Sequence, residues 1–152
     1  MKVVIASDHG GYQLKEELKT FIAELGHEVA DYGAHTQDPV DYPDFAFLVA
    51  EAVAAGAADR GVMIDGIGAA SAIVANKVPG IRAASCSDTF TAAMSRAHND
   101  ANVLTLGARV IGSGLAREIV RVWLAAEFEG GRHMRRVSKV LDFEARYLGG
   151  RR

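Results

Sequence analysis

Five short apolar runs recur along the chain, separated by stretches of helical periodicity, and this alternation restricts the fold more than any other feature. The runs are Lys2 to Ala6, Glu28 to Tyr32, 61–64 around Val62-Met63-Ile64, Ile81 to Cys86, and Val103 to Gly107. Between and after them, the spacing predicts helices over about 11–25, from Pro43 through Val53, up to about Lys77, over 88–97, over 114–126 and over 133–148. Leu14, Leu18, Phe21, Ile22 and Leu25 mark the inner face of the first, and Leu115, Ile119, Val122 and Trp123 that of the fifth. Such alternation folds as a parallel sheet with helices on both faces and right-handed crossovers. The expectation is an α/β three-layer sandwich with a five-stranded parallel sheet and an extra C-terminal helix. The second run has charged ends, which suits a sheet edge. The last helix is fairly polar around Val137, Val140, Leu141 and Tyr147, and packing on a second subunit would explain it economically.

Composition narrows the function classes. At 152 residues and 49% hydrophobic, the chain suits one domain with a real core, spanning 1–152. A net charge of -2 gives no reason to expect nucleic acid or an anionic membrane as partner. The single cysteine, Cys86, excludes an internal disulfide and a cysteine metal cluster, and is expected to be a buried, inert thiol. No secretory leader or membrane-length apolar span is seen, so a cytoplasmic location is the expectation.

Ligand sites in parallel α/β sheets lie beyond the C-terminal strand ends. Asp8-His9, Asp65 with its glycine turn, Ser87-Asp88 and Arg109 are expected there together. In the turn, Asp65 is followed by Gly66, Ile67, Gly68, Ala69, Ala70 and Ser71. Small residues let a ligand approach the backbone, and free N–H groups at a helix start can hold an anion. A carboxylate there would repel an adjacent phosphate. Asp65 therefore reads as a proton-transfer or hydrogen-bonding group, or as a cap for the helix that follows. Asp8 and His9 read either as sugar and oxyanion contacts or as turn residues. Gly10-Gly11 lacks the G-x-G-x-x-G pattern, so no nucleotide cofactor is expected.

His98 is a candidate general acid or base, or a helix C-terminal cap. The spacing of His9, His98 and His133 does not suggest zinc, and a metal-free site is expected. Arg132 and Arg136 are four apart at the start of the last helix, so both can fork onto one phosphate. Tyr42 and Arg109 are weaker candidates.

Several stretches together resemble the ribose 5-phosphate isomerase B and galactose 6-phosphate isomerase family. They are Ser7-Asp8-His9-Gly10-Gly11, Asp41-Tyr42-Pro43, Gly66-Ile67-Gly68, Ala75 to Arg82, His98 to Val103, Gly107-Ala108-Arg109 and Glu129-Gly130-Gly131-Arg132-His133. The resemblance covers almost the whole chain. It implies a Rossmann-like fold without nucleotide, a homo-oligomer (dimer or tetramer) with sites shared between subunits, and aldose–ketose interconversion of a phosphorylated sugar through a cis-enediol. Ribose 5-phosphate is the expected substrate. On this resemblance His98 assists ring opening, and Asp8 and Asn99 lie near the sugar oxygens. The amides of Gly66, Ile67, Gly68, Ala69, Ala70 and Ser71 face the enediolate oxygen. His9, Arg132, Arg136 and Arg109 hold the phosphate, and Tyr42 lines the pocket.

The chain departs from the family at the base. Many members carry cysteine where this chain has Asp65 and threonine where it has Ile67; another branch carries glutamate where it has Ser71. The expectation is that Asp65 moves the proton between C1 and C2. An Asp here also resembles one subunit of galactose 6-phosphate isomerase, which works with a different second subunit. A hetero-oligomeric partner and a catalytically silent phosphosugar-binding role are therefore the alternatives.

Overall fold

A computed structural model describes residues 1–147. At the centre of its sheet, β1 (Lys2–Ser7) pairs with β3 (Arg60–Asp65) in parallel register, Val4 opposite Gly61 and Ser7 opposite Ile64. β2 (Glu28–Asp31) flanks β1, while β5 (Val103–Gly107) and then β4 (Ala83–Ser85) flank β3. All four pairings are parallel, giving the order β2-β1-β3-β5-β4. The α/β architecture and five parallel strands are those expected from the sequence, and β2 does lie at an edge.

Alternation along the strands builds two cores. Val3, Ile5, Val62, Ile64, Leu104 and Leu106 face one side. They meet Leu18 and Ile22 of α1 (Tyr12–Glu24), Ala92 of α4 (Thr89–Asn99), and Ile119 and Trp123 of α5 (Ser113–Ala125). Val4, Ala6, Met63 and Val103 face the other side. They meet Val49 and Ala50 of α2 (Tyr42–Ala54) and Ala75 of α3 (Ala69–Ala75). Arg60 locks the first core from below. Its guanidinium donates to the carbonyls of Trp123 and Leu124, both at 2.9 Å, and so caps α5. Burial, then the nearby charge of Arg96, lowers the Arg60 pKa to about 10.

A buried ion network ties α1 to the edge strand. Lys15 is fully enclosed and donates to both oxygens of Asp31 at 2.8 Å, and Lys19 adds a third bond at 2.6 Å. Burial acts to raise the Asp31 pKa, but these bonds and one from the Gly33 N–H outweigh it and hold it at about 2.

Some elements differ from their sequence reading. β4 has three residues rather than six, because Ile81 bonds back to Val78 and Arg82 N–H donates to the Asn102 side chain instead of a strand. α5 turns Ala116, Ile119, Val120, Trp123 and Leu124 inward, so Leu115 stays 41% exposed. Cys86 is buried as expected, and burial pushes its thiol up to about 11. α6 (Arg132–Tyr147) buries only His133 and Val137 against its own chain, leaving Val140, Phe143 and Tyr147 exposed. Its expected last residue, at 148, lies outside the described residues. Among the described residues, no helix is long and apolar enough to cross a membrane.

Candidate active site

The C-terminal ends of β1 and β3 carry the first group of candidates. Asp65 ends β3 and is 2% exposed. Its Oδ1 accepts from the N–H groups of Ile67, at 2.7 Å, and Gly68. Its Oδ2 accepts from the Ser71 N–H at 3.0 Å and from the Ser71 hydroxyl. Two carboxylate oxygens offer about four lone-pair positions, so every one of them is engaged. The side chain thus braces the turn, as the capping reading of the sequence had it. This also divides the turn's amides. Those of Ile67, Gly68 and Ser71 point at Asp65 and are not available to an oxyanion. Those of Gly66, Ala69 and Ala70 have no protein acceptor among the described residues. Gly68 makes the bend possible: its φ is +81°, and a Cβ there would lie 2.9 Å from Ser85 Oγ and 3.0 Å from the Leu106 carbonyl carbon.

Asp8, also buried, accepts the Gly11 N–H on Oδ1 at 2.9 Å. Gly11 is required beside it, since a Cβ would come within 2.4 Å of the Ile64 carbonyl oxygen. His9 is exposed, and its Nδ1 lies 3.2 Å from the Val40 carbonyl oxygen, which pins the ring against the 33–41 loop. Tyr42 opens α2, half-buried beside the second core. Arg109 is exposed at the rim, its N–H bonded to the Gly66 carbonyl at 3.0 Å. Ser87 and Asp88 follow β4, where Asp88 caps α4 through the Thr91 N–H at 2.7 Å.

The remaining candidates lie at the opposite edge. α4 carries the chain back to the start of β5, so His98 and Asn99 form its last turn rather than a turn beyond it. Asp100, with a φ of 49°, ends the helix. Arg132 and Arg136 sit there too, exposed on α6. β3 alone spans about 13 Å between the two edges, at roughly 3.3 Å per residue from Gly61 to Asp65. A single chain therefore brings Asp8, His9, the glycine turn and Arg109 together, and separately His98, Asn99, Arg132 and Arg136. It does not unite the two groups.

This chain matches the model of the Ribose/Galactose Isomerase family over residues 3–140. The chain belongs to that family. It is 46% identical to the "Ribose-5-phosphate isomerase B" of Escherichia coli, over 95% of this chain and 97% of that one. It is 42% identical to the "D-erythrulose-4-phosphate isomerase" of Pectobacterium atrosepticum, over 95% of each. The solved structure of Clostridium thermocellum Ribose-5-Phosphate Isomerase B superimposes with a TM-score of 0.95 at 56% identity, covering 97% of this chain and 99% of that one. The protein is a sugar-phosphate isomerase of the aldose–ketose type.

The second edge also holds two residues to which the sequence reading gave no role. The rings of His98 and His133 stack at 4.1 Å, 5° from parallel. Glu129 Oε2 lies 3.9 Å from His98 Nε2 and 3.6 Å from His133 Nε2. Gly130 and Gly131, with φ of 64° and 53°, fold Glu129 back, and its N–H is fixed to the Ala97 carbonyl at 3.0 Å. Burial, then the charges of His98 and Arg132, push the His133 pKa below the usual histidine value. The four-residue step from Glu129 to His133 was the available signal. Its meaning depended on His98, which comes from another helix. His9, by contrast, is on the far edge.

A cavity of about 530 Å³ lies between α6 and the 76–83 segment. It is lined by Asn99 and Arg136 as well as Ile81, Val140 and Phe143, and it contains none of the glycine-turn residues.

Proposed function

We propose that the protein interconverts ribose 5-phosphate and ribulose 5-phosphate through a cis-enediol, in a site completed by a second copy of the chain. The reading places it among cytoplasmic enzymes of pentose phosphate metabolism, and no role in it requires a metal. One observation carries it. A braced glycine turn with unpaired Gly66, Ala69 and Ala70 amides stands beside Asp8 and His9, in a chain closely similar to ribose-5-phosphate isomerase B.

In this reading, one copy contributes Asp8, His9, Tyr42, Arg109 and the turn. The other copy contributes His98, Asn99, Arg132 and Arg136. His98 delivers a proton to the ring oxygen as its bond to C1 breaks and the anomeric hydroxyl loses its own proton to solvent, with Asp8 and Asn99 holding the other hydroxyls. His9, Arg132, Arg136 and Arg109 bind the phosphate, whose charge they match. The unpaired turn amides meet the enediolate oxygen as its charge develops.

Asp65 takes the carbon-bound proton and returns it to the neighbouring carbon, while the hydroxyl proton on O2 passes to O1 by exchange with solvent at the enediol stage. Of its four donors, the Ser71 hydroxyl is the one that a single side-chain rotation withdraws. That rotation frees a lone pair on Oδ2 without disturbing the turn.

An NMR assay of the purified protein in D2O tests the reading. Conversion of ribose 5-phosphate with deuterium entering at the carbon beside the carbonyl is expected. Exchange and turnover confined to a four-carbon ketose phosphate would move the substrate to the reading that the Pectobacterium relative favours. Neither turnover nor exchange on any aldose or ketose phosphate would overturn a self-sufficient enzyme. It would point instead to a missing second subunit or to a binding protein.

A further inference from the structure

His98, His133 and Glu129 place one donor atom each within 4.8 Å of the others. Two imidazoles and a carboxylate are a donor set suited to Zn2+, which binds nitrogen at about 2.0–2.1 Å and carboxylate oxygen at about 2.0–2.2 Å. The cluster is held by backbone as well as by side chains. Glu129 is tied to Ala97, next to His98, and His133 N–H is tied to the Gly130 carbonyl at 2.9 Å. His133 is 4% exposed, so its ring has little freedom. Arg132 Nε lies 3.3 Å from His133 Nε2, so that nitrogen presents a lone pair as acceptor.

We propose that these three residues form an inhibitory site for a divalent cation of the zinc type, which takes His98 out of catalysis. The inhibitory part rests on the assignment of His98 to ring opening. Two adjustments accompany binding. His98 swings out of its stack with His133, because parallel rings cannot both direct a lone pair at one ion. Arg132 gives up its contact with His133, and its charge then opposes the cation. Both costs make the site reversible, unlike a closed structural zinc site. A phosphate bound to Arg132 keeps that arginine in place by charge, so sugar phosphate and cation compete.

The test uses the full-length protein, freed of metal, with ZnCl2 as the probe in a non-coordinating buffer. Calorimetry is expected to find one strong Zn2+ per chain, with turnover falling as that site fills. Co2+ in its place is expected to give the intense visible absorption of a low-coordinate nitrogen–oxygen site. Glu129→Gln removes the anionic ligand at a residue assigned no step of the reaction, and keeps the size of the side chain that lies 3.9 Å from His98 Nε2. It is expected to keep turnover within about twofold, to raise the half-inhibiting Zn2+ concentration by about tenfold or more, and to weaken the Co2+ band. Equal inhibition of wild type and Glu129→Gln would overturn the site. Absence of calorimetric binding would also overturn it, while leaving His98's catalytic assignment untouched. Full occupancy, confirmed by the Co2+ spectrum, with turnover unchanged would overturn the inhibitory role and move ring opening away from His98.

Discussion

The two edges of the sheet are built on different principles. At the C-terminal edge the geometry is mostly backbone: Asp65 gathers three amides and a hydroxyl, and Gly11 and Gly68 allow chain segments to touch. At the N-terminal edge the groups are side chains on helix ends, with Arg132 and Arg136 exposed and His98 half-buried. The first edge is preorganised and admits little adjustment. The second is more exposed, and among the described residues nothing in the same chain faces it with the glycine turn. Stabilising charge that appears only in a transition state calls for fixed donors, whereas capturing a mobile phosphate tolerates flexible arginines.

The sharpest way to break this comparison is to disable the edges separately. Asp8→Asn and His98→Asn are each expected to lower kcat/KM by about a thousandfold. Co-expression of the two variants is expected to restore about a quarter of wild-type activity. In a random two-fold dimer, half the pairs are mixed, and each mixed pair has one intact site. No recovery on mixing would show that each site is assembled within one chain.

Asp65→Asn is next in size. It is expected to reduce C–H exchange by about a hundredfold or more while leaving phosphosugar affinity within a few-fold, as calorimetry would report. Loss of affinity and of thermal stability to a similar extent would mean that Asp65 only braces the turn.

A smaller change is expected at the scaffold beneath. Asp31→Asn leaves the enclosed Lys15 ammonium without its main partner, which costs about 3 kcal/mol in denaturant unfolding at neutral pH. The same carboxylate gives wild type an acid signature. Its folded pKa, about 2, lies below the ordinary value of 3.8. The stabilisation is therefore complete above the ordinary value and fades as pH falls toward 2. Asp31→Asn is expected to flatten the melting temperature against pH over that interval.

Arg132→Ala is expected to have the smallest effect, raising KM about tenfold with kcat within a few-fold, since Arg136 and His9 still hold the phosphate. Steady-state kinetics would check it, and an unchanged KM would remove Arg132 from the phosphate site.

Much of the fold was legible because strand and helix periods are local properties. Val62-Met63-Ile64 announces a strand without reference to anything distant, and Leu14, Leu18, Phe21 and Ile22 announce the helix face that covers it. Leu115 was misjudged because several apolar stripes on α5 fit the same spacing. The stripe that is buried, Ala116, Ile119, Val120, Trp123 and Leu124, is the one that faces the first core beside α1 and α4. In the candidate site, Asp8, His9 and the glycine turn were legible because strand ends in a parallel sheet share one edge. Glu129 was not, since its partners depend on where one helix ends and another begins.

The sequence alone determined the alternation, and through it the parallel sheet, the edge position of β2 and the crevice beyond β1 and β3. Only the tertiary structure decided that Asp65 turns inward onto its own amides. It also decided that His98 lies a sheet's depth away from Asp65, stacked on His133 above Glu129. The physical reason is that a right-handed crossover returns the chain by the length of a helix. Residues at the two ends of α4 therefore face opposite edges, although they are close in sequence.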